Sequence, residues 1–298
     1  MSQTIDVAFV KQFTDGITLL QQEMGGALRA GVSVEAGING DRAFFDQIDS
    51  VEMSEVTNRH GDTPLTDVPH KRRMLTLKPF DLADMVDRPD LVRTLNDPTN
   101  AYVQSFARAA GRKEDKIIID AFDAVASTGV DGAGSAAFDT STVIAGNTGY
   151  EIAVAGTSLT TAKLTQARAM LEASNNMEGG DYQWFIVANA AARKGLLDDT
   201  EFKDSDFNSV KALVHGEVDT WLGFKFLKSE QLPIAGNNRS VYAWCKHSIK
   251  LGVGTEPRGH IDVRPDKRHG TQIRYEMDEG AVRMDEKGIV RILCDETP

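Results

Sequence analysis

Along residues 4–30, Phe9, Phe13, Ile17, Leu20 and Met24 recur at spacings of three and four, which predicts an amphipathic helix. Gly16 and the Gly25-Gly26 pair interrupt that stripe, and each costs about 1 kcal/mol relative to alanine in a helix. Such a helix needs a second surface, from its own domain or from a neighbour. Over residues 51–86 the pattern changes. "SVEMSEV" and "RRMLTLKPF" are expected to pair as strands across "TNRHGDTPLTDVPHK", a long connection with one glycine and two prolines of the kind that marks a binding loop. In the second strand Arg73, Leu75 and Leu77 face one way, and Arg72, Met74, Thr76 and Lys78 the other. Both faces mix charge with apolar bulk, so the hairpin is expected to project and be covered by something else.

The longest helical pattern spans residues 97–127, with Asp97 as N-cap and Pro98 at its first position. Tyr102, Phe106, Ala110, Ile117, Ala121 and Val125 form its stripe, widened by Val103, Ile118 and Phe122. Gly111 weakens it unless another backbone lies close there. Residues 128–158 are rich in Gly, Ala, Ser and Thr and predict a loop with one short strand pair. Thr160 caps the next helix, with Leu159 and Leu164 as its hydrophobic staple, and "ASNNMEGG" ends it in a left-handed cap. "YQWFIVAN" predicts a buried strand, "AAARKGLL" a short helix and "WLGFKFLKSEQLP" another strand. The last 40 residues predict an antiparallel meander of "HIDVRP", "TQIRYEM", "GAVRMD" and "GIVRILCDE". The class is α+β, with separated sheets and one spine helix.

Composition removes several functions. The 298 residues carry 44 acidic and 33 basic side chains, a net charge of −11, which argues against a protein that grips phosphate over its whole surface. No apolar run is long enough to span a membrane, and "MSQTIDVAFVKQF" is no secretory signal. Two cysteines, Cys245 and Cys294, make no disulfide framework and suit a reducing compartment. Charge is blocked along the chain: 9 acidic and 3 basic residues over 1–57, 10 basic and 7 acidic over 70–116, 11 acidic and 6 basic over 172–237, 8 basic and 3 acidic over 238–274. Such blocks suit copies meeting positive patch to negative patch, or simply uneven solvated faces.

Catalytic signatures are missing: no nucleophile elbow, P-loop, dinucleotide fingerprint or zinc-protease helix occurs. "GVGTEPRG" at 252–259 reads as a loop. Cys245 and His247 share a strand face, but two ligands make no metal site, and a packed thiol beside a strand histidine is the simpler reading. Cys294 alternates with Val290 and Ile292 as core, while Asp198, Asp199, Asp204 and Asp206 suit caps and turns. No cofactor is implied. "HKRR" at 70–73 lacks the interleaved aromatics that stack bases, so it reads as a protein contact.

Three stretches carry a family resemblance by their order and spacing: "LTTAKLTQARAMLEASNNMEGGDYQWFIVANAAARKGLLDDTEF", "HGEVDTWLGFKFLKSEQLP" and "DEGAVRMDEKGIVRILCDE". Together with the arm, hairpin and spine helix they resemble the major capsid protein of tailed bacteriophages, the Hong Kong ninety-seven-like fold, from about residue 40 to the end. That resemblance implies an N-terminal arm (1–40), a lead into the P-domain (41–50), an E-loop hairpin (51–86), and a P-domain (87–182) with spine helix 97–127. An A-domain (183–258) follows, then closing P-domain strands that return to the A-domain (259–298).

The function implied is a non-enzymatic shell protein, self-assembling as pentamers and hexamers into an icosahedral capsid around double-stranded DNA in the bacterial host cytoplasm. The resemblance also implies a separate scaffolding protein, a portal protein, loose contact with packaged DNA, and in some relatives a decoration protein. The chain begins almost at its arm, so no maturation cleavage is expected, and nothing selects a cross-linking Asn. A cargo-holding, encapsulin-like compartment and a soluble oligomeric enzyme are the alternatives. The expected inter-subunit contacts are Lys71, Arg72, Arg73 and Lys78, and exchanging the first three for Glu is expected to block assembly or make shells fragile while leaving the monomer folded.

Overall fold

The computed structural model describes residues 23–49, 51–53, 55, 65–86, 99–174, 183–199 and 220–296. The predicted helix over 4–30 falls mostly outside them. Within them, residues 23–27 form no regular element and Leu28–Gly31 form a single 3₁₀ turn. The strands are β1 (Ser33–Ala36), β2 (Arg42–Ile48), β3 (His70–Thr76), β4 (Lys78–Val86), β5 (Ala126–Thr128), β6 (Gly134–Ala136), β7 (Val143–Ile144), β8 (Asn147–Thr148) and β9 (Glu151–Ile152). After them come β10 (Trp184–Ala188), β11 (Thr220–Trp221), β12 (Phe224–Lys228), β13 (Ile234–Ala235), β14 (Asn238–Cys245), β15 (Ile249–Arg264), β16 (Gly270–Arg283) and β17 (Ile289–Asp295). The α-helices are α1 (Thr99–Asp123), α2 (Thr161–Ala173) and α3 (Ala190–Asp198).

The strands form three main sheets. One runs β1-β15-β16-β4, one β2-β3-β5-β6, and the largest β11-β12-β10-β14-β17-β9, with β13 on β14 and a separate β7-β8 pair. Helix α1 is the spine. Its C-terminal half drives Ile118, Ile119 and Phe122 into the main core, where the Phe122 ring lies 4.7 Å from both Tyr242 and Trp244. Each such aromatic contact adds about 0.5–1.5 kcal/mol beyond the area it buries. The helix stops at Asp123 rather than at 127, because the buried Arg283 takes the carbonyls of Phe122 and Ala124 at 2.9 and 2.7 Å. Val125, assigned to the helical stripe, is exposed beyond the helix end.

The remaining helices follow their local signals. Thr160 accepts from the Lys163 amide, and Leu159 and Leu164 are both fully buried in the main core. At the other end Ser174 has φ −90°, so it supplies no left-handed cap, and the rest of "ASNNMEGG" lies outside the described residues. Asn189 caps α3, and every residue of β10 is buried.

Three strand expectations change. First, β3 pairs antiparallel with β2, not with "SVEMSEV", whose described residues form no strand. Second, "TQIRYEM" and "GAVR" are one strand, β16, hydrogen-bonded to β15 on one side and β4 on the other, whereas β17 crosses to the largest sheet. The closing meander is therefore split between two sheets. Third, "GVGTEPRG" is not a loop but the middle of β15, with bulges flanking Thr255. Its glycines make room: a Cβ at Gly252 would lie 2.8 Å from Leu75 and one at Gly254 2.9 Å from Leu77. A strand glycine often marks such a close approach.

Lys163 ties α2 to the rest of its sheet. Its buried ammonium donates to the carbonyls of Val154, Thr157, Ser158 and Leu293 at 2.7–3.1 Å. Lys163→Met leaves those carbonyls without their donor, and we expect a loss of about 2–4 kcal/mol. Denaturant unfolding checks this, and an unchanged midpoint would refute it.

Candidate inter-subunit surfaces

The strand β3 carries most of the basic segment. Its register sets Arg72 opposite Asp46, Arg73 opposite Phe45 and Lys71 opposite Gln47. Arg72 Nε donates to Asp46 Oδ1 at 2.5 Å, and this guanidinium holds the Asp46 carboxyl below the usual carboxylate range. Lys71 Nζ lies 2.7 Å from Asp49 Oδ2. Arg73 is buried; its Nη2 donates to both Glu286 carboxylate oxygens at 2.5 and 2.7 Å, and its Nε to the Met284 carbonyl. Lys78 opens β4 as an exposed residue, in register with Glu279 of β16. Three of the four basic side chains thus meet acids of their own chain. Glu at position 73 would face Glu286 in a buried site, so the triple Glu exchange disturbs the fold as well as any interface. Arg73 belongs to the monomer; Lys71, Arg72 and Lys78 remain at the surface.

What the segment presents outward mixes charged side chains with large apolar ones. On β2, Ala43, Phe45 and Gln47 turn inward, and Gln47 Nε2 donates to the Met284 carbonyl at 3.0 Å. Phe44 and Ile48 turn outward, and in the connection Val51, Met53 and Leu65 are exposed, Met53 and Leu65 completely. These five side chains concentrate on one hairpin. Asp46 and Arg72 stand among them as an exposed ion pair, which contributes little to stability in water and more to the choice of a partner. Sequence reasoning missed this face because it placed the first strand eight residues late. The alternation in "RAFFDQI" is the signal that locates it.

The chain enters this region through a strap, residues 23–31, laid across α1. Gly26 N–H donates to the Gly111 carbonyl at 3.1 Å, and Arg112 Nη1 to the Glu23 carbonyl at 2.9 Å. Asp115 accepts the Leu28 and Ala27 amides at 3.0 and 3.4 Å, and Trp244 Nε1 donates to the Gly31 carbonyl at 2.7 Å. Gly111 is thus explained as the expected close backbone approach.

The candidate chemistry stays structural. Cys245 and Cys294 are buried free thiols, and burial pushes Cys294 up to about 11, so neither is a ready nucleophile. His247 sits on a 3₁₀ turn rather than a strand, with Nδ1 3.3 Å from Ser33 Oγ. Asp199 accepts the first amide of α2, from Thr161, at 2.7 Å. Asp204 and Asp206 lie outside the described residues. Among the described residues no group of three His, Cys, Asp or Glu could hold a metal, and no helix is long and apolar enough to cross a membrane.

Comparison with known proteins follows the same lines. No curated protein matches the chain. Among solved structures, the capsid of cyanophage Pam1 aligns with TM-score 0.71 at 15% identity, covering 97% of each chain. The capsid of Ralstonia phage GP4 aligns with TM-score 0.71 at 9% identity, over 97% of this chain and 96% of that one. The capsid of a native GTA particle gives TM-score 0.68 at 14% identity, over 97% and 96%. At such identities these likenesses establish the α+β capsid fold. The model of the phage capsid protein family matches residues 5–296. That match over nearly the whole chain, on a capsid fold, shows that this chain belongs to the phage capsid protein family, a self-associating, non-enzymatic structural protein of the virion capsid.

Proposed function

We propose that copies of this chain assemble as pentamers and hexamers into an icosahedral shell around double-stranded phage DNA. The β2–β3 hairpin, residues 42–76, acts as the E-loop, lying on a neighbouring copy. The sheet β1-β15-β16-β4 with α1 forms the P-domain. The largest sheet forms the A-domain, and α2 goes with it, since Leu164, Ala167, Met170 and Leu171 pack into the core that β14 and β17 share. Lys71, Arg72 and Lys78 rim the contact and select acidic surface on the neighbour. A scaffolding protein and a portal are separate partners, a decoration protein is a further one, assembly takes place in the bacterial host cytoplasm, and the net charge of −11 keeps contact with DNA loose.

The observation that carries this reading is the exposed row Phe44, Ile48, Val51, Met53 and Leu65 on one hairpin. Clustered exposed apolar side chains mark surfaces that a partner covers. Many weak contacts suffice, because every further contact within a shell forms at high effective concentration. The double variant Met53→Glu, Leu65→Glu tests it, since both positions are fully exposed and tolerate charge in the monomer. We expect sedimentation and electron microscopy to show megadalton particles for the unmodified chain and at least a tenfold lower particle yield for the variant, with unchanged thermal unfolding of the subunit. Normal particle yield from the variant would overturn the hairpin's role.

A further inference from the structure

Of the eleven asparagines in the chain, only Asn39 is followed by a glycine. Asn39 and Gly40 are both exposed, in the link between β1 and β2 and outside any regular element. The link is fixed at either end. The Gly37 and Ile38 amides both donate to the Val253 carbonyl, at 2.9 and 3.2 Å, and Ile38 packs on the small core of Leu75 and Leu77. Past the link, the Asp41 carbonyl accepts the Leu77 amide at 2.9 Å, and β2 begins. Between these anchors, neither the Asn39 carboxamide nor the Gly40 amide makes a hydrogen bond among the described residues. Gly40 has φ +106°, which glycine adopts freely, and no atom lies within 4 Å of where a Cβ would sit. The Asn39 carboxamide carbon and the backbone nitrogen that follows it are therefore uncommitted and open to each other.

Comparable positions are closed. Asn189 commits both ends of its carboxamide, accepting the Ala192 amide at 3.2 Å and donating to Glu296. Asn147 Nδ2 donates to Met170 Sδ at 3.5 Å. Asp131 also precedes a glycine, but the Gly132 amide donates to the Gly129 carbonyl at 3.3 Å, and a Cβ on Gly132 would press on Met74.

We propose that Asn39 is a site of covalent self-modification that alters how the hairpin is seated on its sheet. The Gly40 amide nitrogen attacks Asn39 Cγ. The N–Cγ bond forms, the Cγ–Nδ2 bond breaks, and ammonia leaves carrying the amide's proton, which closes a succinimide ring. Water then opens the ring. Cleaving the bond from nitrogen to Cγ gives aspartate, whereas cleaving the bond from nitrogen to the backbone carbonyl carbon gives isoaspartate. Nothing is oxidised or reduced. Either product sets a new carboxylate close to Asp41 in sequence, and isoaspartate also routes the main chain through an added methylene between two fixed points. The Ile38 side holds by two hydrogen bonds and core packing, the Asp41 side by its single bond to Leu77, so the Asp41 side yields. A shell subunit is not renewed after assembly, so slow chemistry of this kind accumulates in it.

Peptide mapping of the purified, folded chain, incubated at neutral to mildly alkaline pH, tests the site. We expect Asn39 to convert about tenfold or more faster than Asn147 and Asn189, the effect of a retained hydrogen bond on the barrier. Isoaspartate is expected to exceed aspartate, and Asn39→Ser, an exposed exchange that leaves the fold intact, is expected to show no conversion there. Conversion of Asn39 no faster than that of Asn147 and Asn189 overturns the site. Isoaspartyl chains, separated from intact ones by their added charge, are expected to exchange the Leu77 amide hydrogen for deuterium faster than intact chains do. Equal protection of Leu77 in the two overturns the effect on the hairpin. The site lies within one subunit, so the test needs no shell and stands apart from the hairpin's role between copies.

Discussion

Replacing Arg283 with methionine is expected to lower stability by about 3–5 kcal/mol, the range for breaking a buried charged network from one side. The Arg283 side chain is fully buried. Its Nη1 donates to the Phe122 and Ala124 carbonyls at 2.9 and 2.7 Å, and its Nη2 to the Ala136 carbonyl at 2.9 Å. Those acceptors include the carbonyls at the end of α1, which the helix cannot satisfy internally, and one in β6. Methionine matches the bulk and removes the buried charge, a partial gain, since burial lowers the arginine's pKa against its charged form. The three stranded carbonyls, at about 1–3 kcal/mol each, outweigh that gain. Arg283→Lys keeps the charge but loses the planar fork, so an intermediate loss is expected. Equilibrium unfolding in denaturant measures both, and a loss below about 1 kcal/mol for Arg283→Met would refute the network's role.

Elements whose signals are local were legible in the chain. Thr160, Leu159 and Leu164 place the start of α2, and "QWFIVAN" places β10 and the Asn189 cap of α3. Pairings decided at long range were not. Two strands compete for β3, "RAFFDQI" and "SVEMSEV", and the first wins because Phe45 and Ala43 reach the small core of Leu75, Leu77, Ala126, Val282 and Met284. That core assembles from residues more than 200 positions apart, beyond any local pattern. The same holds for "GVGTEPRG": its glycines resemble a loop until Leu75 and Leu77 arrive against them.

The surface was legible in part and for a mixed reason. The two-faced alternation of β3 was correct, with Arg73, Leu75 and Leu77 buried together. Unequal charge suggested an intermolecular partner, yet Asp46, Asp49 and Glu286 meet the basic residues within the chain. Glu286 lies 213 residues from Arg73, so only the fold shows that the pair is internal. Removing Arg73 leaves the proposed interface with exposed apolar side chains among the charged Asp46, Lys71 and Arg72, the mixture expected of a covered core with a charged rim.

Gly25→Ala is expected to unseat the strap from the spine helix. Gly25 has φ +71°, a backbone conformation that glycine adopts freely and other residues at a cost. More decisive is space: a Cβ there would lie 2.1 Å from the Arg112 amide nitrogen and 2.2 Å from the Gly111 carbonyl carbon, backbone atoms of a helix that cannot move aside. Strain of about 1–3 kcal/mol from the conformation alone adds to the clash, so the strap separates. The Gly26–Gly111 and Asp115–Leu28 hydrogen bonds go with it. Gly111→Ala separates the two contributions from the helix side. Alanine gains about 1 kcal/mol in a helix interior, and an isolated spine would be stabilised. Here its Cβ would sit 2.8 Å from the Met24 carbonyl oxygen, so the contact reverses the sign and the variant is expected to lose stability, though less than Gly25→Ala. Protease sensitivity at residues 23–31 together with thermal unfolding reads both effects. If Gly111→Ala proved more stable than the unmodified chain while the strap stayed protected, the crossing of strap and spine would be looser than the geometry requires.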